Sequence, residues 1–266
     1  MSETREKLSV YLPSGLVSSL QASSAAGHEP LTSTVERLLT AGLAGESSKA
    51  ESPRDPLRLE DVTLLLFNGN DPEQGARVLR YVTHHISFAR VIHLTFARPV
   101  AACPGEYFQI PRFDYRQAMR FQARSLARYV ETPYVLQIEC DGFPVHPHLW
   151  TADFRDWDYI GAPWPPQLAS EGCRVGNGGC SLRSRRFLEA METAPDHYDE
   201  NGDTYMCQRP DVREHLAASG IRFAPVEVAI RFSFENLIPE FPWWTDDMSF
   251  GFHGFRGDRE KILSGW

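Results

Sequence analysis

The 266-residue sequence predicts an α/β protein with a small module ahead of its main body. Three observations predict it. Apolar β-type runs at residues 62–67, 91–96 and 135–138 alternate with segments of helical period at 72–84 and 114–130, an order that builds a sheet with right-handed crossovers. The first run is continuously apolar rather than alternating, as in a strand covered on both faces. A stretch rich in Ser, Pro and charge, without large apolar residues, runs from Gly45 to Pro56 and reads as a linker. The domain reading is a module at 1–45, a linker at 46–58 and a body at 59–266.

In the small module, Leu8, Val10 and Leu12 alternate with Lys7, Ser9 and Tyr11, which is strand periodicity. Pro13 ends that strand and suits the first turn of a helix, on which Leu16, Val17 and Leu20 share a face. Ser33 and Glu36 carry a capping-box signature for a second helix, with Val35, Leu38, Leu39 and Leu43 as its apolar stripe. One strand and two short helices bury too little surface to stand alone.

In the body, the first strand, Val62 to Phe67, ends at Asn68-Gly69-Asn70. A helix follows over 72–84, then the strand Val91 to Phe96. The helix from Asp114 to Val130 turns Ala118, Phe121, Leu126 and Tyr129 inward, and the strand from Val135 to Ile138 comes next. Phe223 to Ala229 reads as a late supporting strand.

Composition is that of an ordinary globular protein, 42% hydrophobic and 23% charged. No apolar run approaches the roughly 20 residues of a membrane span, and the first residues lack the apolar core of a signal peptide. A cytoplasmic location without membrane attachment is the expectation. The five cysteines, Cys103, Cys140, Cys173, Cys180 and Cys207, are odd in number and lack metal-ligand spacing, so reduced thiols are expected. A net charge of −8 argues against general polyanion binding and leaves room for a local basic face.

The densest chemistry lies at Glu139-Cys140-Asp141-Gly142, where a buried strand ends. Residues two apart on an extended chain point to one side, and two hard carboxylates facing one point suit Mn²⁺ or Mg²⁺. In an open α/β sheet this strand end is also where ligands bind, with Phe67 and Asn68 as neighbours of a nucleotide base. A solvated acidic loop is the plainer alternative. Downstream, Gly176-Asn177-Gly178-Gly179 offers bare amides to a phosphate or a sugar hydroxyl, or is a tight turn before a helix with Arg183 and Arg185 in solvent. It matches neither a Walker loop nor a dinucleotide fingerprint. Trp157, Trp164, Trp243 and Trp244 are either stacking surfaces for sugar rings or core.

Two resemblances follow. The order of elements from Lys7 to Leu43 resembles the ribbon-helix-helix family, whose chains pair as dimers and set exposed strand residues into the DNA major groove. It implies a homodimer and, at Arg5, Lys7, Ser9 and Tyr11, contact with DNA; a dimerisation handle that does not grip DNA is equally open. From about Val62 to about Phe255, Gln137 to Phe143, Trp157 to Trp164, Gly176 to Ser184 and Phe250-Gly251-Phe252-His253-Gly254 resemble a little-characterised family of unknown function similar to GT-A glycosyltransferases.

The second resemblance implies a GT-A-like fold, with a mixed, mainly parallel central sheet and a nucleotide-binding half preceding an acceptor half. It implies Mn²⁺ or Mg²⁺ on Glu139 and Asp141, with the late His253 as a further ligand. The donor is then a nucleotide-diphosphate sugar, uridine type favoured, passed to an unknown hydroxyl acceptor. Gly176, Asn177, Gly178, Gly179, Arg183 and Trp164 join Phe67 and Asn68 as donor or acceptor contacts, with Arg183 suited to phosphate. The family's Glu-Asp pair falls at Gly202-Asp203, so Asp203 is the candidate base, and Glu200 the stand-in for the acid that Gly202 replaces. An acid favoured at a helix N-terminus is the plain alternative for both.

The leading reading is therefore a metal-dependent glycosyltransferase, with modified DNA as one acceptor that the module would hold. A DNA-binding regulator whose body senses a nucleotide sugar without turnover stands as the alternative. A metal-dependent nuclease or phosphatase ranks last, because the extra carboxylates of two-metal chemistry are missing.

Overall fold

The computed structural model describes residues 56–169, 173–196, 201–254 and 259–266, together with Thr32, Ser33 and Val35. The chain divides into two compact units, Met1–Asp55 and Pro56–Trp266. In the first unit Thr32, Ser33 and Val35 are helical, so Ser33 lies inside its helix rather than capping it. The remaining expectations for that unit, including Arg5, Lys7, Ser9 and Tyr11, lie outside the described residues.

The second unit is built on a six-stranded sheet of order β3-β2-β1-β4-β6-β5. β1 (Leu57–Asn68) pairs in parallel with β2 (Ile86–Thr95) and β4 (Tyr134–Ile138), and β2 pairs in parallel with β3 (Glu106–Gln109). β6 (Cys180–Ser184) runs antiparallel to β4 and to the short β5 (Tyr159–Ile160). The mixed, mainly parallel α/β sheet expected from the sequence is the one observed. Alternate residues of β1 feed two cores: Leu65 and Phe67 enter one with Val135 and Phe121, while Leu64 and Leu66 enter the other with Leu136, Val78 and Phe143. Burial on both faces is why this strand is a continuous apolar run.

Helix α1 (Pro72–His85) is capped by Asp71, whose carboxylate accepts from the Glu73 and Gln74 amides, with proline in its first turn. Helix α2 (Tyr115–Arg124) opens with a capping box between Asp114 and Gln117. It stops at Arg124, short of the expected Val130, and the chain tightens into a 3-10 turn at Ala127–Tyr129. Helices α3 (Arg185–Thr193), α4 (Gly202–Gln208) and α5 (Pro210–Ala218) follow.

Two expectations need correction. The stretch 223–229 is not a strand. Phe223 makes one isolated bridge to Tyr159, and Pro225 then starts helix α6 (Val226–Phe232). Burial of Ala229, Ile230 and Phe232 overrides the β preference of Val226 and Val228. The glycine-rich stretch leads not into a helix but into β6, and Arg183 on that strand is 1% exposed rather than solvated.

Candidate metal centre and its clefts

The acidic pair lies just past the end of β4, in a tight turn. The Glu139 and Gly142 backbones exchange hydrogen bonds of 3.0 and 3.2 Å, so the two carboxylates converge because the chain reverses, not because it stays extended. Asn68, at the end of neighbouring β1, fixes the adjoining loop. Its Oδ1 accepts from the Asn70 and Asp71 amides at 2.9 and 3.0 Å, and its Nδ2 donates to the Asp71 carbonyl and, at 2.9 Å, to Cys140 Sγ.

His253 arrives from the far end of the chain. β7 (Ser233–Phe234) and β8 (Gly251–Phe252) form a short parallel pair. The His253 amide donates to the Phe234 carbonyl at 2.8 Å, and that of Gly254 to the Asp141 carbonyl at 2.9 Å. Two glycines admit the ring. A Cβ on Gly179 would collide with the imidazole, and one on Gly142 would lie 2.8 Å from its Cδ2. Ligand atoms of Glu139, Asp141 and His253 then all lie within 4.8 Å of one another. Two carboxylate oxygens and an imidazole nitrogen at that spacing fit a divalent cation such as Mn²⁺.

Glu235 completes this corner. Its Oε1 lies 3.2 Å from His253 Nδ1, while its Oε2 is buried with no hydrogen-bond partner. Burial alone would lower the histidine pKa. The hydrogen bond to Glu235, with the negative charges of Glu235, Glu139 and Asp141, outweighs burial and raises it to about 9 in the metal-free protein. Desolvation raises the Glu139 carboxyl above its ordinary range, against the pull of His253. Both shifts follow from negative charge gathered in a desolvated corner.

Two clefts meet at this corner. One, of about 370 Å³, opens over the ends of β1 and β4 and is lined by Phe67, Asn68, Tyr115, Glu139 and Asp141 among others. The other, of about 230 Å³, is lined by Gly178, Gly179, Arg183, Asp203 and His253, and shares Tyr115, Met119, Gln122 and Glu139 with the first. Asp203 sits in the first turn of α4. Burial pushes its carboxyl up, Glu235 adds to the shift, and the Thr204 amide, donating to it at 2.8 Å, opposes it. The α4 cap residue, Asn201, makes no side-chain cap; its Oδ1 accepts from the Tyr115 hydroxyl at 3.0 Å across the mouth.

The structure thus brings together Phe67, Asn68, Glu139, Asp141, Gly178, Gly179, Arg183, Asp203 and His253 around two joined clefts. Arg183 works from beneath. Its guanidinium donates to Ser181 Oγ at 3.0 Å and to the Gly178 carbonyl at 3.5 Å, so it holds the glycine loop as well as facing the cleft. Trp164, Gly176 and Asn177 lie elsewhere. Trp164 is 7% exposed in the core, and Gly176 is bare because a Cβ there would strike Cys207 and Trp164. Asn177 turns inward to accept from the Gly179 amide at 3.1 Å. Trp244 is likewise core, donating to Ser249 Oγ at 3.0 Å, whereas Trp243 is exposed. Glu200 lies outside the described residues. Glu235 was missed, because a lone glutamate 18 residues before His253 carries no periodic or motif signal.

No described helix is long and apolar enough to cross a membrane. A family model described as "Protein of unknown function (DUF5672)" matches residues 110–253. No curated protein matches the chain. Among solved structures, the galactosyltransferase LgtC in complex with donor and acceptor sugar analogs is 13% identical, with 76% of this chain and 95% of that one covered and a TM-score of 0.47. A glycosyltransferase involved in glycosylation of the major capsid of PBCV-1 is 11% identical over 76% and 97%, with a TM-score of 0.44. A mannosyltransferase from Pyrobaculum calidifontis, in complex with GDP-Man and Mn²⁺, is 14% identical over 80% and 66%, with a TM-score of 0.41.

Proposed function

The chain belongs to the DUF5672 family, and we propose that it is a metal-dependent glycosyltransferase moving a sugar from a nucleotide-diphosphate donor to a hydroxyl acceptor. The observation that carries this reading is the convergence of Glu139, Asp141 and His253 within 4.8 Å at the junction of two clefts. One cleft takes the donor and the other the acceptor. Glu139, Asp141 and His253 would hold Mn²⁺ or Mg²⁺, which supplies Lewis-acid neutralisation of the charge that builds on a diphosphate leaving group.

The chain's own residues do the rest. Phe67 and Asn68 line the donor cleft where a nucleotide base, uridine type favoured, would rest. Glu235 accepts the Nδ1 proton of His253 and so leaves Nε2 as the ligand nitrogen, the arrangement in which an outer carboxylate fixes a histidine's tautomer and raises its basicity. Gly178 and Gly179 let substrate approach the backbone closely, and Arg183 below them adds positive charge beneath the donor phosphates. Asp203, raised by burial, accepts the proton of the acceptor hydroxyl as that oxygen attacks the anomeric carbon. The bond from that carbon to the diphosphate breaks in the same step, and the electron pair leaves with the nucleoside diphosphate. The N-terminal unit, on its ribbon-helix-helix pattern, pairs two chains or holds DNA.

The test is release of nucleoside diphosphate from uridine, guanosine, cytidine and thymidine diphosphate sugars, with and without Mn²⁺. Metal-dependent release from one donor, lost in Asp141→Ala, supports the reading. Metal-dependent binding of a donor with no release, even with a broad set of sugar acceptors, would instead make the body a sensor.

A further inference from the structure

Helix α2 separates two environments. Its inner side lines both clefts through Tyr115, Met119 and Gln122, and the first cleft also through Ala118. Its outer side carries an unusual charge pattern. Arg112, Arg116, Arg120, Arg124 and Arg128 recur at every fourth residue, and from 115 to 130 there is no Asp or Glu. Four residues of helix rise about 6 Å, and residues at i and i+4 lie on one face. Arg116, Arg120 and Arg124 therefore form one ridge within the helix, with Arg112 and Arg128 continuing the spacing just beyond its ends.

Solvated helix faces normally mix the two signs, because like charges at i and i+4 destabilise a helix. This face does not mix them, although the whole chain carries −8. Arg120 pairs with Asp196, and Arg124 turns inward to the Tyr205 hydroxyl and the carbonyls ending α3. Among the described residues, no ion pair engages Arg112, Arg116 or Arg128, and all three are exposed. Arg112 lies over the Phe96 ring at 3.7 Å, and Arg128 over the Phe121 and Tyr129 rings at 5.2 Å each. A groove of about 360 Å³ runs along the same face, lined by Phe113, Gln117, Arg120, Phe121, Arg124 and Ser125.

We propose that this outer face of α2 is a binding track for single-stranded nucleic acid. Three exposed arginines, Arg112, Arg116 and Arg128, offer cations to a chain of phosphates, and the partly exposed rings of Phe96, Phe113 and Tyr129 beside them supply surfaces on which bases stack. A polyanion on the track relieves repulsion that the folded chain otherwise sustains. The track goes beyond the transferase reading and does not rest on it. If both hold, a polymer on the track lies on the same helix that lines the donor cleft.

The experiment is fluorescence anisotropy of the full-length chain with a labelled oligothymidylate of about 20 nucleotides, over a range of salt. A variant with Arg112→Gln, Arg116→Gln and Arg128→Gln is compared with one carrying Arg5→Gln and Lys7→Gln. None of the three track residues lines either cleft, and an unchanged circular-dichroism spectrum serves as the check that the body is intact. The track variant should bind the oligonucleotide at least tenfold more weakly at low salt. Its log–log salt slope should be shallower by about 2, one increment of roughly 0.7 per lost phosphate contact, and its melting temperature should be unchanged or raised. Equal binding by track variant and wild type overturns the proposal, as does loss of binding only in the Arg5 and Lys7 variant. Capture of a sulfated polysaccharide but no oligonucleotide overturns it as well.

Discussion

The two walls of the site are built differently. On the donor side, the ends of β1 and β4 are fixed by sheet pairing, by the Asn68 hydrogen bonds and by the tight turn at Glu139–Gly142. On the proposed acceptor side, Asp203 stands in the first turn of a seven-residue helix whose cap residue makes no side-chain cap; the Tyr115–Asn201 and Arg124–Tyr205 hydrogen bonds join it to α2. Short helices owe their stability to packing rather than to propensity. The contrast teaches that, on the proposed function, metal and donor would meet a corner fixed by backbone pairing, whereas the proposed proton acceptor is held by side-chain contacts to α2 and by the buried face of its own short helix.

Four substitutions probe that difference. Asp141→Ala should have the largest effect, a loss of about 10⁴-fold in turnover, because it removes a ligand from a cation that supplies several kcal/mol. Asp203→Asn should lower turnover about 10³-fold while leaving metal affinity as in wild type. Its loss should also remove the acidic limb of the kcat/KM profile, a limb that burial places above the ordinary Asp range of about 4. Unchanged turnover in Asp203→Asn would show that the acceptor proton goes elsewhere.

Glu235→Gln should weaken Mn²⁺ binding by about 10- to 100-fold, the usual cost of losing an outer carboxylate on a ligand histidine. The pH dependence sharpens this. With the His253 pKa raised to about 9 in the metal-free protein, a proton competes with the cation below that pH. Mn²⁺ affinity should therefore rise with pH up to about 9. Without the Glu235 charge the histidine gives up its proton at lower pH, so the rise should level off earlier. Titrations of both proteins across that range check it. Tyr115→Phe should have the smallest effect, about fivefold in turnover for roughly 1 kcal/mol of hydrogen bonding, with donor affinity unchanged. An effect as large as that of Asp203→Asn would mean that the Tyr115 contact, rather than the buried face of α4 and the Arg124–Tyr205 hydrogen bond, sets the position of Asp203.

Legibility in the sequence follows the same division. β1, β2 and β4 were readable because strands buried on both faces must be continuous apolar runs, and Glu139 and Asp141 because they end one. The tight turn between them was not, since extended spacing alone also places them on one side. β6 escaped because three glycines and a buried arginine resemble an exposed turn; only pairing with β4 and β5 shows that Arg183 is interior. Trp164, Gly176 and Asn177 belong to that interior too, so the glycine motif divides between core packing and cleft wall. Residues 223–229 combine β-branched and aromatic residues that look strand-like in isolation, and tertiary burial makes most of them a helix. Glu235 is local to nothing in the sequence that it touches in space.

The metal centre itself is tested most directly by titrating Mn²⁺ into the full-length chain, with bound ion counted by electron paramagnetic resonance. One site per chain is predicted, with Asp141→Ala and His253→Ala each abolishing it and Asp203→Asn leaving it intact. Mn²⁺ binding that survives both Asp141→Ala and His253→Ala, or that is absent from the wild-type chain, would contradict the assignment of Glu139, Asp141 and His253 as a metal centre.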